Sequence, residues 1–302
     1  MNNLVAEIKR LKQERNAVIL AHIYQPAEIQ DIADFIGDSL DLSRRAAETD
    51  ADVIVFCGVH FMAETANILS PDKIVLLPDA TAGCEMADMI TAEQLAAKRA
   101  ENPNAVVVSY VNTTAAVKAL TDICCTSANA VQIVESIPKD KDIIFAPDRN
   151  LGGYIAKSTN RSMDLWEGCC PIHHALPVEA ILEAKKAHPN ALVLAHPECR
   201  DEILALADHI NGTMGLVRYA EASDADEFIV ATVVGTLHQM RKRCPNKSFY
   251  LASDMLECRN MSNNTLEKVK AALETLSPQV VVPEDIRLKA KACLEKMLDA
   301  CR

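Results

Sequence analysis

Three uninterrupted apolar runs recur along the chain, each opening on Asn-Ala and closing on a polar ring. They are Asn16-Ala17-Val18-Ile19-Leu20-Ala21-His22, Asn104-Ala105-Val106-Val107-Val108-Ser109-Tyr110 and Asn190-Ala191-Leu192-Val193-Leu194-Ala195-His196. Their starts at 16, 104 and 190 are 88 and then 86 residues apart. Runs this short and this apolar predict strands covered on both faces of a parallel sheet. A second strand is predicted in each unit, at 53–56, 142–146 and 227–231. Helical periodicity appears at 28–36, 40–49 and 62–69, at 115–120 and 128–136, and at 200–207, 235–243 and 265–276. The N-terminal stretch 1–15 is charged with helical spacing. Strands alternating with helices in three copies predict an α/β protein of three pseudo-threefold-related α/β/α domains with small parallel sheets around a central site. The expected units are 1–85, 86–171 and 172–258, with 259–302 a helical segment packing back on them.

The repeat also sets polar residues in register. Two positions beyond each strand's polar end stand Tyr24, Asn112 and Glu198, and 17 positions beyond it stand Ser39, Ser127 and Thr213. Cys84, Cys170 and Cys258 follow at 62, 60 and 62 positions. Ligands of parallel sheets bind beyond the carboxyl ends of the strands, so threefold packing directs these residues to one place. The hydroxyls are expected to cap helices, whose starts also suit a phosphate or carboxylate. His22 and His196, beside Tyr24 and Glu198, are suited to donating, accepting or moving protons. Tyr110 and Asn112 put a neutral donor and an amide at the same place in the second unit. Three thiolates suit an iron–sulfur cluster with one open iron, and a three-cysteine zinc site is the alternative. His173-His174 is either a pair of donors beside the metal or a polar loop, while His60, His188, His209 and His238 are read as surface or packing residues.

Composition narrows the function classes. The 302 residues carry a net charge of −11 and 4% aromatics, which excludes a general nucleic-acid binder. Apolar runs stay short of the roughly 18 residues of a membrane span, and the charged N-terminus is no signal peptide, so a cytoplasmic protein is expected. The 11 cysteines are odd in number and contain no C-x-x-C, which argues against a disulfide framework or a local cluster motif. Cys57, Cys199, Cys244, Cys293 and Cys301 are read as core residues. Glycine totals only nine and no P-loop occurs, so ATP binding is not expected.

In their order, a set of motifs resembles the quinolinate synthase family over essentially the whole chain. They include Ala21-His22-Ile23-Tyr24-Gln25, Gly37-Asp38-Ser39, Phe61-Met62-Ala63-Glu64-Thr65-Ala66 and Tyr110-Val111-Asn112. Cys125-Thr126-Ser127-Ala128-Asn129-Ala130, Trp166-x-Gly168-x-Cys170-x-x-His173, His196-Pro197-Glu198-Cys199 and Asn260-Met261 followed by Thr265-Leu266-Glu267-Lys268 complete the set. The resemblance implies a central [4Fe-4S] cluster and condensation of iminoaspartate with dihydroxyacetone phosphate to quinolinate, phosphate and water. It implies Cys84, Cys170 and Cys258 as cluster ligands. It implies His22, Ser39, Tyr110, Asn112, Ser127, His196, Glu198 and Thr213 as substrate contacts; among the polar residues, Tyr24, His196 and Glu198 are assigned to proton transfer. An L-aspartate oxidase or dehydrogenase would supply the imine. The family's Gly-Ser-Thr-Ser-Gly stretch is represented here by Asn211-Gly212-Thr213-Met214-Gly215, which keeps one hydroxyl. Cys169 adjoins Cys170, and the family spacing from Trp166 selects Cys170. An iron–sulfur electron carrier and a structural zinc protein are the alternative readings.

Overall fold

The structure, a computed structural model, describes residues 2–300. Three four-stranded parallel sheets follow one another along the chain. The first is built from β1 (Ala17–His22), β2 (Phe35–Gly37), β3 (Val53–Cys57) and β4 (Ile74–Leu76). The second contains β5 (Val106–Tyr110), β6 (Ile123–Cys125), β7 (Ile143–Ala146) and β8 (Asp164–Leu165). The third contains β9 (Leu192–Ala195), β10 (His209–Ile210), β11 (Glu227–Ala231) and β12 (Ser248–Leu251). Each sheet has its unit's second strand at one edge, then the first, third and fourth. The equivalent residues Ile19, Val107 and Val193 pair with Val55, Ile144 and Ile229, so the units share register as well as order.

Two expectations are corrected. Each unit has four strands rather than two, because the outer ones span only two to four residues and carry too little pattern to detect. The helix expected over 28–36 is Ala27–Ile32, and Phe35–Gly37 is β2. Asp34 is the reason. Its N–H donates to Ile19 O at 2.9 Å and its Oδ2 accepts from Ile19 N at 2.8 Å, which draws the chain alongside β1. Asp122 and Asp208 do the same with Val107 and Val193, both at 2.8 Å through Oδ2. All three aspartates stand 15 residues after their partner and keep the 88- and 86-residue spacing (34, 122, 208).

The largest core is shared by the first two units and finished from outside them. Ala290, Cys293, Leu294 and Met297 of the helix Glu284–Asp299 are buried in it with Ile54 and Phe145. That helix packs on His60–Leu69, Ala115–Lys118 and β6. On the other face of the first sheet, the helices Asn2–Glu14 and Leu266–Thr275 bury Ile8, Leu11, Val269 and Leu273 against Ile19 and Val55. Between Leu266–Thr275 and Glu284–Asp299 the segment 277–280 lies along β4, with Leu77 N donating to Pro278 O and Val280 N to Val75 O. This covers an edge that would otherwise expose unpaired backbone groups. Cys57, Cys199, Cys244 and Cys293 are buried as read, and Cys301 lies outside the described residues. Among the described residues no helix is long and apolar enough to cross a membrane.

Candidate functional site

The carboxyl ends of the three sheets open on one cavity of about 400 Å³. Its walls include His22, Tyr24, Ser39 and Cys84 from the first unit, Tyr110, Asn112, Ser127 and Cys170 from the second, and His196, Glu198, Thr213 and Cys258 from the third. Every residue singled out by the repeat therefore reaches the same space. His173 lines it too; Cys169 is not among the lining residues, its backbone N–H instead donating to Met89 Sδ at 3.3 Å.

The hydroxyls do not act as expected. Ser39 and Thr213 are the first residues of the helices Ser39–Glu48 and Thr213–Ala222, one place inside the cap positions Asp38 and Gly212. Asp38 does the capping, its carboxylate accepting from Leu40 N and Asp41 N. Ser127 precedes the helix Ala130–Ser136, whose cap position is Asn129. A residue placed just inside or ahead of the cap cannot fold its oxygen back onto the first-turn N–H groups, so these hydroxyls turn to the cavity. Thr213 Oγ1 donates to Tyr24 Oη at 2.9 Å, and Ser127 Oγ lies 3.2 Å from His196 Nε2. Gly212 permits this approach: a Cβ there would come within 2.8 Å of Ser127 Oγ.

Both strand-end histidines are held in one tautomer. His22 Nδ1 accepts from Tyr24 N at 3.2 Å, and His196 Nδ1 from Glu198 N at 3.3 Å. In the neutral ring the proton is then on Nε2, facing the cavity as a donor. Burial lowers His22 to about 3 and His196 to about 4, partly opposed in each by Glu198, so both rings are neutral at physiological pH.

A hydrogen-bonded chain joins the three units. Tyr110 Oη donates to Glu198 Oε1 at 2.7 Å. His173 Nδ1 is 2.8 Å from Glu198 Oε2. An ionised carboxylate only accepts, so Nδ1 carries a proton, and in the neutral ring Nε2 is then an acceptor. Nε2 is 3.0 Å from Thr232 Oγ1, which is 2.9 Å from Tyr24 Oη. With Thr213 donating to Tyr24, the donors run Thr213, Tyr24, Thr232, His173, ending on Glu198. Desolvation alone would raise the Glu198 carboxyl, but His196, His173 and the Tyr110 hydroxyl hold it below the usual range. Burial, reinforced by the Glu198 charge, pushes Tyr24 and Tyr110 well above the ordinary phenol. The cavity thus sets an ionised carboxylate against protonated phenols and neutral imidazoles. Thr232 was not found by sequence reasoning, and His173 was left undecided. Neither has a counterpart in the repeat: Thr232 corresponds to Gly58 and Pro147, and His173 to Ala87 and Met261.

The thiols form the remaining wall. Burial pushes Cys84 up to about 12, Cys170 well above the ordinary thiol, and Cys258 upward. Three half-buried thiols line one cavity, and as thiolates they would be stable there only against a cation, so the donor set fits a thiophilic metal centre. Donor atoms of Cys170, His173 and Glu198 also lie within 4.8 Å of one another, a grouping able to hold a metal ion. Asp148 fixes the Cys170 loop: its Oδ2 accepts from Cys170 N at 3.1 Å while Oδ1 caps the helix Arg149–Thr159.

Comparison with known proteins places these observations in a lineage. Residues 6–299 match the profile of the quinolinate synthetase A protein family. The chain is 56% identical over 297 residues to quinolinate synthase of Desulforudis audaxviator, covering 98% of each chain. It is 53% identical over 292 residues to quinolinate synthase of Geobacter metallireducens, covering 97% of this chain and 96% of the relative. It is likewise 53% identical over 299 residues to that of Thermodesulfovibrio yellowstonii, covering 99% and 98%.

Proposed function

Because the chain belongs to the quinolinate synthetase A protein family, and is an enzyme of NAD biosynthesis, we propose that it condenses iminoaspartate with dihydroxyacetone phosphate to quinolinate, phosphate and water. The observation that carries this reading is the meeting, in one cavity, of a thiol, a strand-end polar pair and a hydroxyl at or just before a helix start from every unit. Cys84, Cys170 and Cys258 are the ligands of a [4Fe-4S] cluster in this reading. Such a cluster, held by three thiolates, supplies an open iron as a Lewis acid without net electron transfer.

The chain's own residues supply the rest. Ser39, Ser127 and Thr213 bind substrate oxygens, and His22 and His196 add neutral Nε2–H donors. Tyr110 and Asn112 complete the polar wall. Imine–enamine exchange and loss of water require a base to take a carbon-bound proton and an acid to protonate a departing hydroxyl. Glu198, ionised at neutral pH, is the ultimate acceptor. Tyr24, protonated at neutral pH, is the donor at the opposite end. Thr232 and His173 link the two groups through hydrogen bonds. His196 orients substrate beside Glu198 and takes part in the transfer through Ser127. An L-aspartate oxidase or dehydrogenase supplies the imine, and the chain works in the cytoplasm.

The test is anaerobic quinolinate formation, run beside iron and sulfide analysis of two single variants. Cys170→Ser is expected to lose the stable cluster and all product, since a serine hydroxyl replaces a soft thiolate poorly on iron. Cys169→Ser is expected to stay brown and active. Cluster loss in Cys169→Ser alone would transfer the ligand to Cys169, and retention in both variants would remove the three-cysteine site.

A further inference from the structure

Lysine is among the residues least often fully buried, yet Lys118 has no exposed surface at all. Its partners are carbonyls. Nζ donates to Val111 O at 2.8 Å and to Thr113 O, and it lies 5.4 Å from the centre of the Phe61 ring. The two carbonyls flank Asn112. Thr113 N donates to Val111 O at 2.8 Å, so residues 111–113 form a three-residue turn with Asn112 at its apex. Asn112 lines the cavity, and its buried Oδ1 has no hydrogen-bond partner among the described residues. An unsatisfied buried amide oxygen is costly unless a ligand uses it. A turn this small would swing its apical side chain with modest changes in two torsions, and the ammonium bridges the points that such a swing must move.

We propose that Lys118 is a positioning residue for substrate binding: by holding Val111 O and Thr113 O together it fixes the turn that aims the Asn112 amide into the cavity. This inference rests on the reading above that Asn112 contacts substrate. Lys118 lies behind the cavity wall and touches no reactant, so its influence passes through Asn112 alone.

A double-mutant cycle separates the inference from the reading beneath it. Lys118→Met keeps length and apolar packing while removing the donor; Asn112→Ala removes the amide; the third variant combines them. Each is prepared as cluster-loaded enzyme, normalised to iron content. Two quantities are measured: kcat/KM for quinolinate formation, and the calorimetric Kd of quinolinate. Each single change is expected to weaken both by roughly 10-fold, the scale of one lost hydrogen bond. The double variant is expected to be no worse than Asn112→Ala, because both changes remove the same contact. Hydrogen exchange at Thr113 N–H is expected to quicken in Lys118→Met, independently of turnover. Unchanged binding and turnover in Asn112→Ala overturns the underlying reading. A loss in Asn112→Ala with none in Lys118→Met, or penalties that multiply in the double variant, overturns the role of Lys118. If Lys118→Met does not fold, Lys118→Gln, too short to bridge both carbonyls, enters the same cycle with the same criteria.

Discussion

A hydroxyl at a helix start can close the first turn or face away from it, and Ser39, Ser127 and Thr213 face away. Ser127→Ala therefore removes no cap. It is expected to raise KM for the triose phosphate while leaving the melting temperature within about a degree of the parent, against the roughly 1 kcal/mol that loss of a cap costs. Thermal melting and substrate titration of one preparation check both halves. Tyr24→Phe breaks the donor chain between Thr213 and Thr232 and is expected to lower kcat by about 10²-fold or more, with iron content unchanged. Steady-state quinolinate formation at saturating substrate measures it. The residues legible in the sequence were those with counterparts in the repeat, since three strand ends at one pole deliver matched positions to one space. His173 and Thr232 have no such counterparts. Their pairing with Glu198 and Tyr24 joins positions as far apart as 24 and 232, which periodicity does not connect.

At the scale of elements, the three aspartates do what longer edge strands would otherwise do. Each supplies an N–H and a carboxylate oxygen to one residue of its unit's central strand, fixing where the short neighbour begins. Asp122→Ala leaves Val107 N–H without its acceptor and is expected to destabilise the protein by about 1–3 kcal/mol. Asp122→Asn, which keeps an acceptor oxygen, is expected to cost less; urea unfolding of the pair distinguishes them. The same elements explain what the hydrophobic pattern revealed. Central strands were legible because burial on both faces makes them apolar throughout. The edges β2, β6 and β10 were not, because a two- or three-residue strand has no period and its pairing depends on a side chain outside it. The aspartates themselves share the spacing of the repeat and were legible in principle.

For the molecule as a whole, burial of neutral imidazoles ties stability to acidity. His22 and His196 titrate near 3 and 4 in the fold and near 6.5 in the unfolded chain. Below 6.5 the unfolded state takes up protons that the folded state refuses. Their contribution is therefore full above that pH and is lost as pH falls toward 3–4. Urea unfolding between pH 7.5 and about 4.5 is expected to show declining stability, with a shallower decline in His22→Asn. An unchanged slope in that variant removes His22 from the account. The helix Glu284–Asp299 has a different consequence, concerning time. It leaves the ribosome after all three sheets, yet Ala290, Cys293, Leu294 and Met297 finish the core that the first two units share. The second sheet ends at Leu165 and the helix that closes the core starts at Glu284, so the nascent chain presents an open apolar seam while the residues between them are made. All three thiols have emerged by residue 258, while the core against which they pack is still incomplete. On the proposed reading, delivery of iron and sulfide is then a race between cluster insertion and the arrival of the helix Glu284–Asp299.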